Sequence, residues 1–323
     1  YVRKSNEELQ QSRLSIELNK AQLAAQVANI YYSIIYLKQA LNTKIESRKD
    51  ISDNTTVPII AEINQADDVS PVVFTKEQRS VIAEQFRILR TNLDFVVPDA
   101  NGSTKIIMVT SSMSSEGKSF IAMNLGTALA MSGKKVVLLE FDLRMPKVLS
   151  SLGIEQKSGL SNFIVNPLKT SDIMMPSGIH ENLFLIGAGV IPPNPAELIL
   201  NKRVKELIEN LKENFDYVIL DTPPVGLVTD AQLLSRYADA SLYIVRQGYT
   251  FKNQLQMLQE INATQKIRNL NVVINGVKIK SGYGYGYGYG YGYGYGYGGK
   301  NGYAYFGGKK TKTPFYKKWL RKV

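Results

Sequence analysis

The sequence predicts an α/β protein in which a mostly parallel sheet is covered by helices on both faces. Three observations carry that expectation. Between Thr104 and Val277 short apolar runs recur: KIIMVTS, KKVVLLEFD, NLFLIGA, YVILDTPP, ASLYIVR and LNVVING. Amphipathic helical stretches separate several of them, and strands that lack polar alternation belong to sheets buried on both sides. The first run passes through a loop of small residues directly into a helical pattern, the succession that a phosphate-binding loop requires.

Along the chain, residues 1–50 read as a helical, membrane-proximal segment. Ala21 to Leu37 carries no charge between Lys20 and Lys38, a length only marginal for a bilayer core. Leu23, Val27, Ile30, Ile34, Leu37 and Leu41 alternate four and three apart, the seam of a coiled coil. Gln22, Gln26, Asn29 and Ser33 share another face. A packed or self-associating helix is preferred over a membrane span, and both stay open. Residues 51–78, with Pro58, Pro71 and Asp67-Asp68, read as a linker. The main domain, 79–280, opens with a helix from Arg79 to Phe95 that sets Ile82, Phe86, Leu89 and Leu93 on one face.

The chemistry gathers at strand ends. The strand Lys105–Thr110 leads into Ser111-Ser-Met-Ser-Ser-Glu-Gly-Lys-Ser119, then into a helix marked by Ile121, Leu125, Ala128 and Leu129. Backbone N–H groups of such a loop face phosphates, and the helix N-terminus adds positive charge. Lys118 is placed to reach β- and γ-phosphates, and the Ser119 hydroxyl to bind Mg²⁺. Ser112 stands where the motif's first glycine belongs. Phe215-Asp-Tyr-Val-Ile-Leu-Asp221 is a buried strand ending in an acid, which belongs beside the metal at the carboxyl edge of the sheet. In Val136-Val-Leu-Leu-Glu140-Phe-Asp142-Leu-Arg144, Glu140 and Asp142 are two apart and point the same way on an extended strand end. Such a pair can hold metal and accept a proton from an incoming hydroxyl. Arg144 would balance charge or touch phosphate. The fold expectation is therefore a P-loop NTPase.

Composition narrows the alternatives. The chain has 323 residues, no cysteine and the single histidine His180, which excludes thiolate metal sites and makes histidine-based chemistry improbable. A formal net charge of +11 points to an anionic partner. Between Ser281 and Gly308 glycine alternates with tyrosine as far as Gly298, leaving nothing to bury on every second position, so this stretch reads as a disordered Tyr-rich tail. The basic end, 309–323, interleaves Phe315, Tyr316, Trp319 and Leu320 with lysines and an arginine. It suits an anionic membrane surface, or merely solubilises. Nucleic acid is not expected as a partner, because the excess charge is largely terminal.

The chain resembles the bacterial tyrosine kinases (BY-kinases) of the Wzc-like polysaccharide co-polymerase family, from about Thr43 to the C-terminus. The likeness rests on TSSMSSEGKS, VVLLEFDLRMP, FDYVILDTPP, GLSNFI, PPNPAELI, EQFRILRTNL and the tyrosine cluster. It implies an autophosphorylating protein tyrosine kinase that uses ATP and Mg²⁺. Lys118, Ser119 and Asp221 would hold the metal nucleotide, with Ser114, Ser115, Glu116, Gly117 and Phe120 around the phosphates and Asn275 near the adenine. A plain turn asparagine before Gly276 is the local alternative. Glu140 and Asp142 match the family's paired aspartates, Asp142 also reaching the metal; glutamate at the first position leaves the identity of the base open. Ser114-Ser115 replaces the usual Pro-Gly. Glu84, Arg87 and Arg90 match an ExxRxxR motif used between protomers of an octameric ring; an intrahelical Glu–Arg pair is the local alternative. The implied phosphoacceptors are Tyr283, Tyr285, Tyr287, Tyr289, Tyr291, Tyr293, Tyr295, Tyr297, Tyr303 and Tyr305, modified in trans by a neighbouring protomer. The resemblance further implies the bacterial inner membrane, with the kinase domain on its cytoplasmic face. Its partners would be a polysaccharide polymerase or export machinery and a tyrosine phosphatase. A catalytically weak scaffold that sets polysaccharide length is one competing reading. A ParA/MinD-like ATPase is the other, though Met113 stands where that group has its signature lysine.

Overall fold

The computed structural model describes residues 2–41, 43–66, 70–74, 80–97, 103–155 and 158–278. The tyrosine-rich tail and the basic C-terminus lie outside the described residues. The strands are β1 (Ile59–Asn64), β2 (Lys105–Ser111), β3 (Val136–Glu140), β4 (Met175–Pro176), β5 (Leu183–Ile186), β6 (Tyr217–Asp221), β7 (Ala240–Arg246) and β8 (Leu270–Val277). They form one sheet in the order β1-β8-β7-β2-β6-β3-β5-β4. Every pairing is parallel except that of the two-residue β4 with β5. Each residue of β2, β3 and β6 is buried, which is why these runs carry no polar alternation.

Helices cover both faces. Beside α1 (Val2–Leu41), whose described side chains are exposed, the helices are α2 (Arg48–Ser52), α3 (Val81–Val96), α4 (Lys118–Ala130), α5 (Val148–Ser151), α6 (Leu160–Val165), α7 (Thr170–Ile173), α8 (Pro195–Ile199), α9 (Lys202–Lys212), α10 (Asp230–Leu234) and α11 (Gln254–Ala263). Alternate residues of each central strand feed two separate cores. Ile107, Val109, Leu138 and Ile219 pack with Phe86 and Leu89 of α3 and Ile121 and Leu125 of α4. Met108, Val137, Leu139, Val218 and Leu220 pack with Leu207 of α9 and Leu258 of α11.

α3 follows its sequence pattern. Ser80 caps it through Ala83 N–H at 3.0 Å, and Ala83, Phe86, Leu89 and Leu93 are buried. Phe86 is fully buried, with ring centroids of Phe74 at 6.3 Å and Phe120 at 5.8 Å. Phe86→Ala is expected to lower unfolding free energy by about 3–5 kcal/mol, read by urea denaturation, because the hole cannot close without moving both rings.

The segment 51–78 is not simply a linker. It supplies β1 and the end of α2, and Ile51 and Val57 lie in the core, joined by Ile45 just upstream. Pro58 hides the strand in the sequence. Proline breaks a ladder only where its N–H is needed, and here it precedes the first residue of an edge strand. Its carbonyl accepts from Val272 N–H at 2.8 Å. The helix expected over residues 1–50 is also divided. α1 ends at Leu41, and Ser47 and Asp50 form a capping box that starts α2 afresh. Between them, backbone bonds join Ile45 to Thr250 and Gly248, and Lys252 to Thr43.

The seam residues Leu23, Val27, Ile30, Ile34 and Leu37 of α1 are 57–62% exposed, without cover among the described residues. Among the described residues, no helix is long and apolar enough to cross a membrane.

Candidate nucleotide site

The central strands end level with one another: Asp221 pairs in register with Val109 of β2 and with Glu140 of β3. The loop 112–117 rises from β2 at this edge and turns into α4. Gly117 takes φ +98°, and a Cβ there would lie 2.1 Å from Asn275 Nδ2, so only glycine fits. Ser115 is also left-handed, at φ +66°. Left-handed residues alternating with ordinary ones turn successive N–H groups toward one concavity, an anion cradle.

Lys118, the first residue of α4, is buried beside Asp221, and its charge lowers the Asp221 pKa. Ser119 Oγ donates to Asp221 Oδ2 at 2.6 Å. Asp221 Oδ1 is buried without a hydrogen-bond partner among the described residues. Burial pushes the Asp221 carboxyl up to about 7; the bond from Ser119 and the charge of Lys118 oppose this, while Glu140 and Asp142 add to it. An orphaned carboxylate oxygen next to a hydroxyl is a donor set suited to Mg²⁺, which takes one or two protein oxygens and completes its shell with phosphate and water.

The paired acids are not equivalent. Glu140 ends β3 and is 2% exposed; its carboxylate accepts from Val148 N–H and, at 3.4 Å, from Ala188 N–H. Burial raises its pKa, the amides of Val148, Ala188 and Lys147 oppose this, and Asp142 adds to it. Asp142 lies beyond the end of the strand, half-buried, where Oδ1 accepts from Met145 N–H at 3.1 Å. The extended geometry that would aim both side chains alike therefore stops at Glu140. Arg144 is committed to Asp230: Nε to Oδ2 at 3.0 Å and Nη2 to Oδ1 at 3.2 Å, with the Asp230 carboxylate fully buried. That bond holds the Arg144 pKa above its usual value. Asp230 has no motif to announce it; in the sequence it is one more aspartate at a helix start.

Glu116 turns away from the cradle. Its buried carboxylate accepts from Met113 N–H at 2.8 Å and bonds the hydroxyls of Ser112, at 2.8 Å, and Thr250. Burial raises its pKa against these bonds. A carboxyl raised on folding binds extra protons in the folded state. Its share of stability is full below the ordinary glutamate range and is lost as pH rises through the raised value. Glu116→Gln is expected to flatten that part of the stability–pH curve of the nucleotide-free protein, measured as melting temperature across pH 4–8. Asn275 donates from Nδ2 to the Glu116 carbonyl at 2.8 Å, so it touches the loop.

The ExxRxxR side chains are engaged within the chain. Arg87 Nη1 meets Glu84 Oε2 at 2.8 Å, and Arg90 Nη1 donates to Ala128 O at 3.0 Å near the C-terminus of α4. The intrahelical pair expected as the local alternative is present. The tail tyrosines lie outside the described residues.

The sequence matches the AAA domain family over residues 104–274. It is 38% identical to the tyrosine-protein kinase YwqD of Bacillus subtilis (strain 168) over 208 residues, covering 64% of this chain and 86% of the relative. The fold is similar to the chimerical protein CapA2B2, with TM-score 0.64 and 32% identity, over 71% of this chain and 98% of that one. It is also similar to the kinase domain of the Escherichia coli tyrosine kinase ETK, with TM-score 0.65 and 25% identity, over 76% of this chain and 100% of that one.

Proposed function

This chain belongs to the bacterial tyrosine-protein kinases, and we propose that its cleft transfers the γ-phosphoryl group of ATP, bound with Mg²⁺, to tyrosine hydroxyls. The observation that carries this reading is the Ser119–Asp221 pair beside Lys118, with one carboxylate oxygen left over. Bound there, Mg²⁺ would offset charge on the phosphoryl oxygens. Lys118 binds the β- and γ-phosphates, and the N–H groups of the loop orient them. The tyrosine oxygen bonds to the γ-phosphorus as the bridging oxygen leaves with ADP. The tyrosine proton passes to a carboxylate, and Asp142 is the better placed of the pair because burial and two backbone donors hold Glu140.

The acceptors are the tail tyrosines, Tyr283 to Tyr305, of a neighbouring protomer. β8 carries Asn275 against the loop, so the chain leaves the sheet at the catalytic edge. From Lys278 the chain to Tyr283 spans at most about 18 Å. Four strand spacings from β8 to β3 come to about 19 Å, so the nearest tyrosine reaches its own Asp142 only with backbone and side chain near full extension. A ring using Glu84, Arg87 and Arg90 would bring neighbouring clefts within reach of the longer arms. A membrane anchor, a polysaccharide polymerase or export partner and a phosphatase complete the reading. Each added phosphate carries about −1.5 to −2 charge, so modified tails repel and disperse the ring.

The test is incubation with ATP and Mg²⁺ followed by mass spectrometry of the tail. Phosphate on several tail tyrosines is expected, and a tail that stays unmodified overturns the reading. Mixing tail-truncated active protein with full-length Lys118→Met separates the routes, since only transfer in trans labels the Lys118→Met chains.

A further inference from the structure

Three consecutive carbonyls of the phosphate loop are each held from outside by a side chain of the β7–β8 region. Tyr249 Oη donates to Ser114 O at 3.2 Å, Arg246 Nη1 to Ser115 O at 2.9 Å, and Asn275 Nδ2 to Glu116 O at 2.8 Å. No peptide in the described chain is cis. In a planar trans peptide the carbonyl of one residue and the N–H of the next point opposite ways. Drawing these three oxygens outward therefore turns the N–H groups of Ser115, Glu116 and Gly117 to the opposite side, into the cradle.

The loop needs such a restraint. Its residues carry no proline to stiffen it, and Ser115 sits in a left-handed conformation that disfavours any residue with a Cβ. The clamp is itself well anchored. The Arg246 guanidinium lies over the Tyr249 ring, 5.3 Å from its centroid. The turn closes through Thr250 N–H to Arg246 O at 2.9 Å and Arg246 N–H to Thr250 Oγ1 at 2.9 Å. Thr250 Oγ1 in turn bonds the Glu116 carboxylate.

We propose that Arg246, Tyr249 and Asn275 are positioning residues that preorganise the loop's N–H groups for the nucleotide's phosphates. The inference rests on the phosphate-site reading above. None of the three need touch the nucleotide for this role, and Arg246 and Tyr249 belong to no motif that marks the site.

The test measures dissociation constants for Mg²⁺-ADP by calorimetry on the full chain, together with kcat and KM for ATP. Arg246→Ala and Tyr249→Phe are compared with Arg246→Lys and with Lys118→Met. Removing one charge-assisted bond to the loop should weaken nucleotide binding about tenfold. Arg246→Ala is expected to raise Kd and KM about tenfold with kcat within about twofold; Tyr249→Phe acts in the same direction, and Arg246→Lys recovers most of the loss. Binding unchanged in both Arg246→Ala and Tyr249→Phe overturns the clamp. So does a fall in kcat and melting temperature with KM constant, which would mark a purely structural role. A parent protein that fails to bind Mg²⁺-ADP, or binds it no better than Lys118→Met does, overturns the phosphate-site reading itself.

Discussion

Asp221→Asn is expected to lower tail phosphorylation by at least about 100-fold while leaving the nucleotide-free protein as stable as the parent, or more so. The two effects separate because the carboxylate does different things in the two states. In the nucleotide-free chain it is a cost: 1% exposed, with one oxygen lacking a partner and its pKa raised by burial to about 7. Across pH 4 to 7 the folded protein binds a proton there that the unfolded chain does not, so parent stability falls as pH rises. An asparagine stays neutral, so its advantage over the parent should grow through that window and level off above it. In the proposed working state the same oxygen would bind the metal ion, and an amide cannot supply the charge. Urea unfolding in metal-free buffer at pH 5 and pH 8 reads the first effect, and quantitative phosphotyrosine detection reads the second. A variant both less stable at pH 8 and fully active would show that the buried acid is a structural residue only.

The strand–loop–helix around Lys118 and the acid that closes β6 are legible in the sequence alone. The phosphate loop declares itself because its chemistry demands a glycine, a lysine and a hydroxyl in succession at a helix start, and Asp221 because a wholly apolar strand has to end somewhere. The central strands were equally plain, since burial on both faces removes the polar positions that make strands ambiguous. What stayed hidden depends on tertiary pairing. β1 is an edge strand introduced by Pro58, a residue that looks like a breaker until its carbonyl is seen accepting from Val272. Arg144 looked free to meet phosphate, but its fork is filled by Asp230, 86 residues away in sequence. Arg246 and Tyr249 reach back more than a hundred positions to the loop. Bonds of that sequence separation leave no local pattern of residue types. Glu84 and Arg87 mark the opposite limit, because a three-residue spacing predicts a pair within one helix as readily as a contact between chains, and here the first is present.

The largest remaining effect concerns the two acids of the β3 edge, which should fail in different ways. Asp142→Asn is expected to reduce kcat by about 10²–10⁴-fold, with ATP binding and melting temperature nearly unchanged. Its carboxylate is half-buried and makes one backbone bond, from Met145, that an asparagine oxygen can keep. Glu140→Gln is expected first to destabilise the fold, by about 1–3 kcal/mol. Both glutamate oxygens receive backbone N–H groups, from Val148 and Ala188, and a glutamine has only one oxygen to offer them. The bond to Val148 starts α5, and the one to Ala188 fixes the loop after β5, so loosening either moves the walls of the cleft before it touches the chemistry. Single-turnover phosphorylation and urea melts on the two variants separate base from brace. If Glu140→Gln kept its full stability and lost turnover while Asp142→Asn stayed active, the proton would have to leave through Glu140, and the carboxylate would need to abandon both amides to receive it.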